Sequence, residues 1–242
     1  MNHRDFHDCL ERAFSSERLN PYQERTQNKQ EACQAYFWNL ALCESLYPVL
    51  NAVEVVVRNE LDECIAELRG NQWWFRDDDL LGPKENKTVE KTHQRLTDED
   101  SPIETPRRGH YIADLSFGFW TGLLHKYYER GQTLWPTLLT GSVDRSPFPK
   151  APKKLRKRQA FFVRVDKIRR LRNRVFHHEP LWNRDNLEDD YQTILEVIGW
   201  VDSDLETALS HFCRFPAVYE DGWDSNGRVR QIAALFEEGE GP

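Results

Sequence analysis

Between Leu50 and Leu68 the apolar residues Leu50, Val53, Val57, Leu61, Cys64 and Leu68 keep a three-to-four spacing, which forms one buried stripe only on an α-helix. Val55, Val56 and Val57 are good strand residues, but the pattern they sit in is too long for a strand. The same periodicity recurs along the chain while β signals are nearly absent. It predicts helices over Lys29–Leu46, Pro48–Leu68, Lys84–Leu96 and His110–Arg130, then over Lys153–His178, Leu187–Phe212 and Arg228–Phe236. Pro48 suits a first helical turn, Gly70 and Gly131 suit helix ends, and Pro180 keeps Glu179 out of helical geometry. Asn186 can cap the helix from Leu187, with Glu188, Asp189 and Asp190 in its positive first turn. An all-α bundle is the architecture this implies, with the first 28 residues read as a polar start.

The 242 residues suit a single domain spanning 1–242, with a Pro-rich internal linker over 142–152, SVDRSPFPKAP. Eight Trp, 8 Tyr and 13 Phe supply the core that a disordered chain lacks. No apolar run approaches the ~20 residues of a membrane span, and the charged start MNHRDFHDCLERAF does not resemble a secretion signal. Cys9, Cys33, Cys43, Cys64 and Cys213 are scattered, without metal-ligand spacing. The expectation is a cytoplasmic, reduced protein with no membrane contact, no structural metal and no cofactor.

The net charge of −7 argues against nucleic acid until its distribution is read. Between Lys150 and Arg174 stand 12 Lys or Arg and a single acid, Asp166. Such asymmetry fits either an anion-binding surface or a solvated helix face balanced by acidic neighbours. At the end of that stretch lies LRNRVFHHEPLW, with Arg172, Asn173, His177, His178 and Glu179. An imidazole can act as acid or base near neutral pH, and a guanidinium grips phosphate oxygens with a rigid fork. The plainer reading places two histidines at a helix C-terminus, where the dipole favours their charged form.

The string RN-x-x-x-H resembles the catalytic motif of the HEPN superfamily, R-x(4–6)-H with a polar residue often after the Arg. SLYPVLNAVEVVVRNEL resembles the helix of Abi-like (abortive infection) HEPN proteins that carries a Glu and an Arg-Asn pair. DLSFGFWTGLL resembles their apolar central helix and RNRVFHHEPLW their terminal motif. The likeness spans about residues 36 to 200. It implies an HEPN-like helical bundle, a metal-independent endoribonuclease of bacterial defence or toxin type, and a homodimer with a shared active site. Arg172, Asn173, His177 and Glu54 are the implied catalytic set. RNA would be held by Lys153, Lys154, Arg156, Lys157 and Arg158 of the basic helix, together with Arg58 and Asn59. A co-encoded antitoxin or small RNA is the kind of restraint such toxins carry. A related subset carries R-x4-H-x-Tyr and is silenced at that tyrosine; here the position is Glu179, so such control is not expected.

Arg172 and His177 lie about 140° apart on a regular helix, whereas Asn173 and His177 share a face. The dyad therefore needs the long Arg to wrap round, a distorted helix end, or two chains pooling residues. Glu54 and Arg58, also i and i+4, suit a surface ion pair as readily as a site role. His178 reads as a helix-end residue before a second catalytic donor, and Trp73, Trp74, Trp120, Trp182 and Trp200 as core or interface before base-stacking. A non-catalytic HEPN module binding RNA or a partner protein through its basic helix is the alternative function, and a purely dimerising module is a third.

Overall fold

A computed structural model describes residues 6–77, 79–98, 103–140, 145–225 and 227–231. It is all-α: every regular element is helical, with no strand among the described residues. The helices are α1 (Phe6–Phe14), α2 (Ser16–Gln23), α3 (Lys29–Arg69), α4 (Pro83–Thr97) and α5 (Arg108–Asp114), followed by α6 (Phe117–Leu123), α7 (Arg158–Phe176), α8 (Leu187–Val201), α9 (Ser203–Phe212) and α10 (Phe215–Ser225). The chain packs as two compact units. The first takes described residues within 1–48, 172–191 and 211–242, and the second those within 49–171 and 192–210.

Five expected elements differ. Lys29–Leu46 and Pro48–Leu68 are one 41-residue helix with Pro48 inside it. An interior proline costs about 3 kcal/mol, but the buried stripe continues through it: Leu42, Leu46, Val49, Leu50, Val53, Val57 and Leu61 are all at most 1% exposed. By length and hydropathy α3 could cross a membrane, yet this burial is that of a core helix. The expected helix His110–Arg130 is α5, α6 and a 3-10 segment. Leu115 is extended (ψ 121°), and Ser116 caps α6 by accepting from the Phe119 N–H. Leu187–Phe212 breaks at Asp202, whose Oδ1 accepts from the N–H groups of Asp204 and Leu205 at 2.8 and 3.0 Å. Those two donors hold its carboxyl below the usual range.

The basic helix, finally, begins at Arg158, not Lys153. Lys153–Leu155 form a 3-10 turn and Arg156 leaves helical geometry at ψ 63°. Five cations in the first six positions would crowd the positive end of the helix dipole. Arg156 instead folds back, its Nε donating to the Ala151 carbonyl at 2.8 Å and its Nη2 to that of Pro149 at 2.6 Å.

In the first unit Leu10, Leu19 and Tyr22, from the expected polar start, are buried with Ala32, Cys33 and Tyr36. Trp182 stacks on Tyr22 at 5.9 Å. In the second unit Trp74 packs on Phe119 and Trp120, and Phe161 on Phe148 and Trp200. Phe148 belongs to the expected linker, of which residues 142–144 lie outside the described residues; its described remainder is packed, with the Lys150 N–H donating to the Trp200 carbonyl at 2.8 Å. The expected last helix is described only as far as residue 231.

Candidate functional site

In the first unit α7 ends at Phe176 in a hydrogen-bonded cap. The His178 N–H donates to the Val175 carbonyl at 3.2 Å and the Glu179 N–H to that of Arg174 at 2.8 Å, around a left-handed His178 (φ 58°). This is the Schellman pattern, which usually places glycine at the left-handed position. The His177 N–H still donates to the Asn173 carbonyl at 2.8 Å, so His177 completes the helical register. The offset of about 140° between Arg172 and His177 therefore stands.

Several contacts hold this end. The Arg172 guanidinium lies 4.3 Å over the Phe176 ring, which in turn meets Tyr47 of α3. Arg18 donates to the His178 carbonyl at 2.6 Å, and Arg174 to that of Pro180 at 3.1 Å. Beyond the cap, the buried Asn39 side chain accepts from the N–H groups of Leu181 and Trp182 at 2.6 and 3.2 Å. His177 and His178 are left exposed, with Arg172 and Asn173 half-buried.

Beside the cap lies a groove of about 670 Å³ lined by Tyr47, Pro48, Val175, Phe176, His178 and Phe212, with Glu44 and Arg214 at its polar edge. Its aromatics are unusually open: Phe212 is 71% exposed and Tyr47 52%. Partial burial would raise the Glu44 carboxyl, but hydrogen bonds from Arg214 and Arg228 outweigh it and hold the group below the usual range. Burial pushes the nearby Cys43 thiol up to about 11, so it stays protonated.

Arg172, Asn173 and His177 thus come together on one helix end in the first unit. Glu54, Arg58 and Asn59 belong to the second unit, on the later half of α3; Arg58 Nε donates to Asn59 Oδ1 at 3.3 Å. Comparison with protein-family models, curated proteins and solved structures finds no match.

The five RNA contacts expected on the basic helix divide. Lys153, Lys154 and Lys157 are exposed, whereas Arg156 is tied to backbone carbonyls. Arg158 pairs with Glu129 at 2.7 Å and donates to the Leu124 carbonyl, its side chain 10% exposed. Further along α7, Arg164 pairs with Glu196, and Arg169 and Arg170 both engage Asp166. Trp74, Trp120 and Trp200 are buried, while Trp73 and Trp182 are half-buried. Among the described residues no group of three or more His, Cys, Asp or Glu is placed to hold a metal ion.

Sequence reasoning missed a second concavity in the second unit, about 480 Å³, with the buried acids Glu85 and Asp166 in its lining. The one available signal was a pair of glycines, Gly118 and Gly122, four residues apart inside the apolar DLSFGFWTGLL.

Proposed function

We propose that this protein is a metal-independent endoribonuclease of HEPN type acting in cytoplasmic defence. The observation that carries this is the end of α7. An exposed imidazole, His177, stands on a backbone fixed by the cap, one turn beyond a guanidinium steadied over the Phe176 ring. The 2′-OH of RNA is its own nucleophile. Its oxygen attacks the neighbouring phosphorus while one His177 takes the proton, the bond from phosphorus to the 5′ oxygen breaks, and a second His177 protonates the leaving oxygen. Arg172 neutralises charge on the phosphorane oxygens. The products are a 2′,3′-cyclic phosphate and a 5′-OH end.

Because Arg172 and His177 diverge by about 140° in one chain, the site is formed from two copies related by a two-fold axis. The open aromatic groove next to the motif supports that pairing, since Tyr47, Phe176 and Phe212 would lose their exposure to water. Exposed Lys153, Lys154 and Lys157 supply sequence-independent affinity for phosphates. Those same lysines also suit the second reading, a non-catalytic RNA-binding module.

Purified protein incubated with total RNA in EDTA, followed by mapping of the new ends, is the test. Cyclic-phosphate ends that vanish in His177→Ala and Arg172→Ala are expected. Undiminished RNA binding with no cleavage by the wild type would favour the binding module. Cleavage of all-DNA strands, or full activity in His177→Ala, would defeat the proposed mechanism.

A further inference from the structure

The geometry points to a guanine-binding pocket in the second unit, formed by α4, α6, the 3-10 segment after α6, and α7. At its floor Glu85 is 8% exposed. The Gly82 N–H donates to the Tyr128 hydroxyl at 3.1 Å, and that hydroxyl donates to Glu85 Oε2 at 3.0 Å. This chain locks the carboxylate in place while Oε1 takes no hydrogen bond from the described residues. The space for Oε1 exists because residue 122 is glycine: a Cβ there would lie 2.8 Å from that oxygen.

An acceptor oxygen held on an oriented side chain in the lining of a concavity suits a ligand with N–H donors. The pocket's walls narrow the choice. Tyr127, 44% exposed, lines it together with Gly118 and Gly122, and the lining residues Phe162 and His125 form an edge-to-face pair at 5.7 Å. Aromatic and glycine walls accept a flat ring. The lining carries two acids, Glu85 and Asp166, and two cations, Lys84 and Arg169, with Asp166 already engaged by Arg169 and Arg170. A guanine nucleotide fits: its N1–H and 2-amino group both donate to the carboxylate, and its phosphate meets Lys84. Adenine presents an acceptor at N1 and fails the same test. The volume of about 480 Å³ is in the range of small-ligand sites.

The assignment stands apart from the ribonuclease proposal, because the pocket uses none of the residues Arg172, Asn173 or His177. The ring could come from a free nucleotide or from a guanosine in RNA. Calorimetric titration of the full chain with GMP, IMP, AMP and a short RNA containing one guanosine separates these. GMP binding at least tenfold tighter than IMP, with AMP weaker still, is expected, one charge-assisted hydrogen bond being worth about a factor of ten. Binding of the RNA alone, with the same loss on replacing its guanosine by inosine, would identify the strand as the source. Glu85→Gln should weaken binding at least tenfold. Gly122→Ala, whose Cβ would push Glu85 Oε1 from its place, should do the same while far-ultraviolet circular dichroism shows the helical fold retained. Equal affinity for GMP and AMP, no binding of either guanine ligand, or full affinity in Gly122→Ala would overturn the assignment.

Discussion

His178 holds a left-handed backbone where α7 ends, a position at which any side chain with a Cβ is strained. His178→Gly should therefore raise stability by about 0.5–1 kcal/mol in urea unfolding, the strain relieved exceeding the entropy glycine loses. It should also leave RNA cleavage measurable, because the cap is backbone-made and His177 keeps its place. A loss of cleavage together with the gain in stability would give His178 a chemical role. For His177→Ala the expected fall in cleavage rate is about 100–10,000-fold, the usual contribution of general acid–base catalysis. The contrast between adjacent histidines is the sharpest test available at this scale, and single-turnover rates on one RNA measure it. Substrates lacking the 2′-OH at the cleaved position should be bound and left intact.

The end of α7 stays where it is because another helix holds the chain beyond it. Asn39 of α3 accepts two buried backbone N–H groups, those of Leu181 and Trp182. Asn39→Ala leaves both without a partner and should cost about 2–3 kcal/mol, with faster hydrogen exchange over 179–183. In the second unit Asp62 of α3 plays a similar part, accepting from Trp74 Nε1 at 2.9 Å and pairing with Arg108. Burial raises its carboxyl above the ordinary 3.8, only partly opposed by those donors. The folded chain thus holds this proton more tightly than the unfolded one. The resulting stabilisation is full below pH 3.8 and is lost as pH rises through the raised folded value. Asp62→Asn should flatten that part of the stability–pH curve, as followed by thermal unfolding between pH 3.5 and 6.

For the whole molecule, association and charge are the measurable properties. Light scattering at micromolar concentration should give a dimer, and Phe212→Asp should shift it to monomer while abolishing cleavage, because the site proposed above would need both copies. A monomer that still cleaves RNA would sink the shared site. Replacing Lys153, Lys154 and Lys157 with Gln should weaken RNA binding and make its dependence on log salt shallower by roughly 2, about 0.7 per phosphate contact on a single strand. Arg156 and Arg158 are better left alone, since their guanidiniums hold the turn into α7 and the Glu129 segment.

Helical class was legible because apolar spacing is a local property: the stripe from Leu50 to Leu68 and the Pro180 stop needed no neighbours to be read. The motif at Arg172, Asn173 and His177 was legible as residues, and so was the tension between its two ends on one helix. What local pattern left open is what distant contacts settle. Pro48 lies inside a helix because the buried stripe on both sides outweighs a lost hydrogen bond. Lys153–Lys157 leave the helix because the carbonyls of Pro149 and Ala151 are there to receive Arg156. Glu85 is one acid among 40 in the sequence. Tyr128, 43 residues away, and the bare face of Gly122 make it a buried, oriented acceptor, and such partners meet only when the chain is folded.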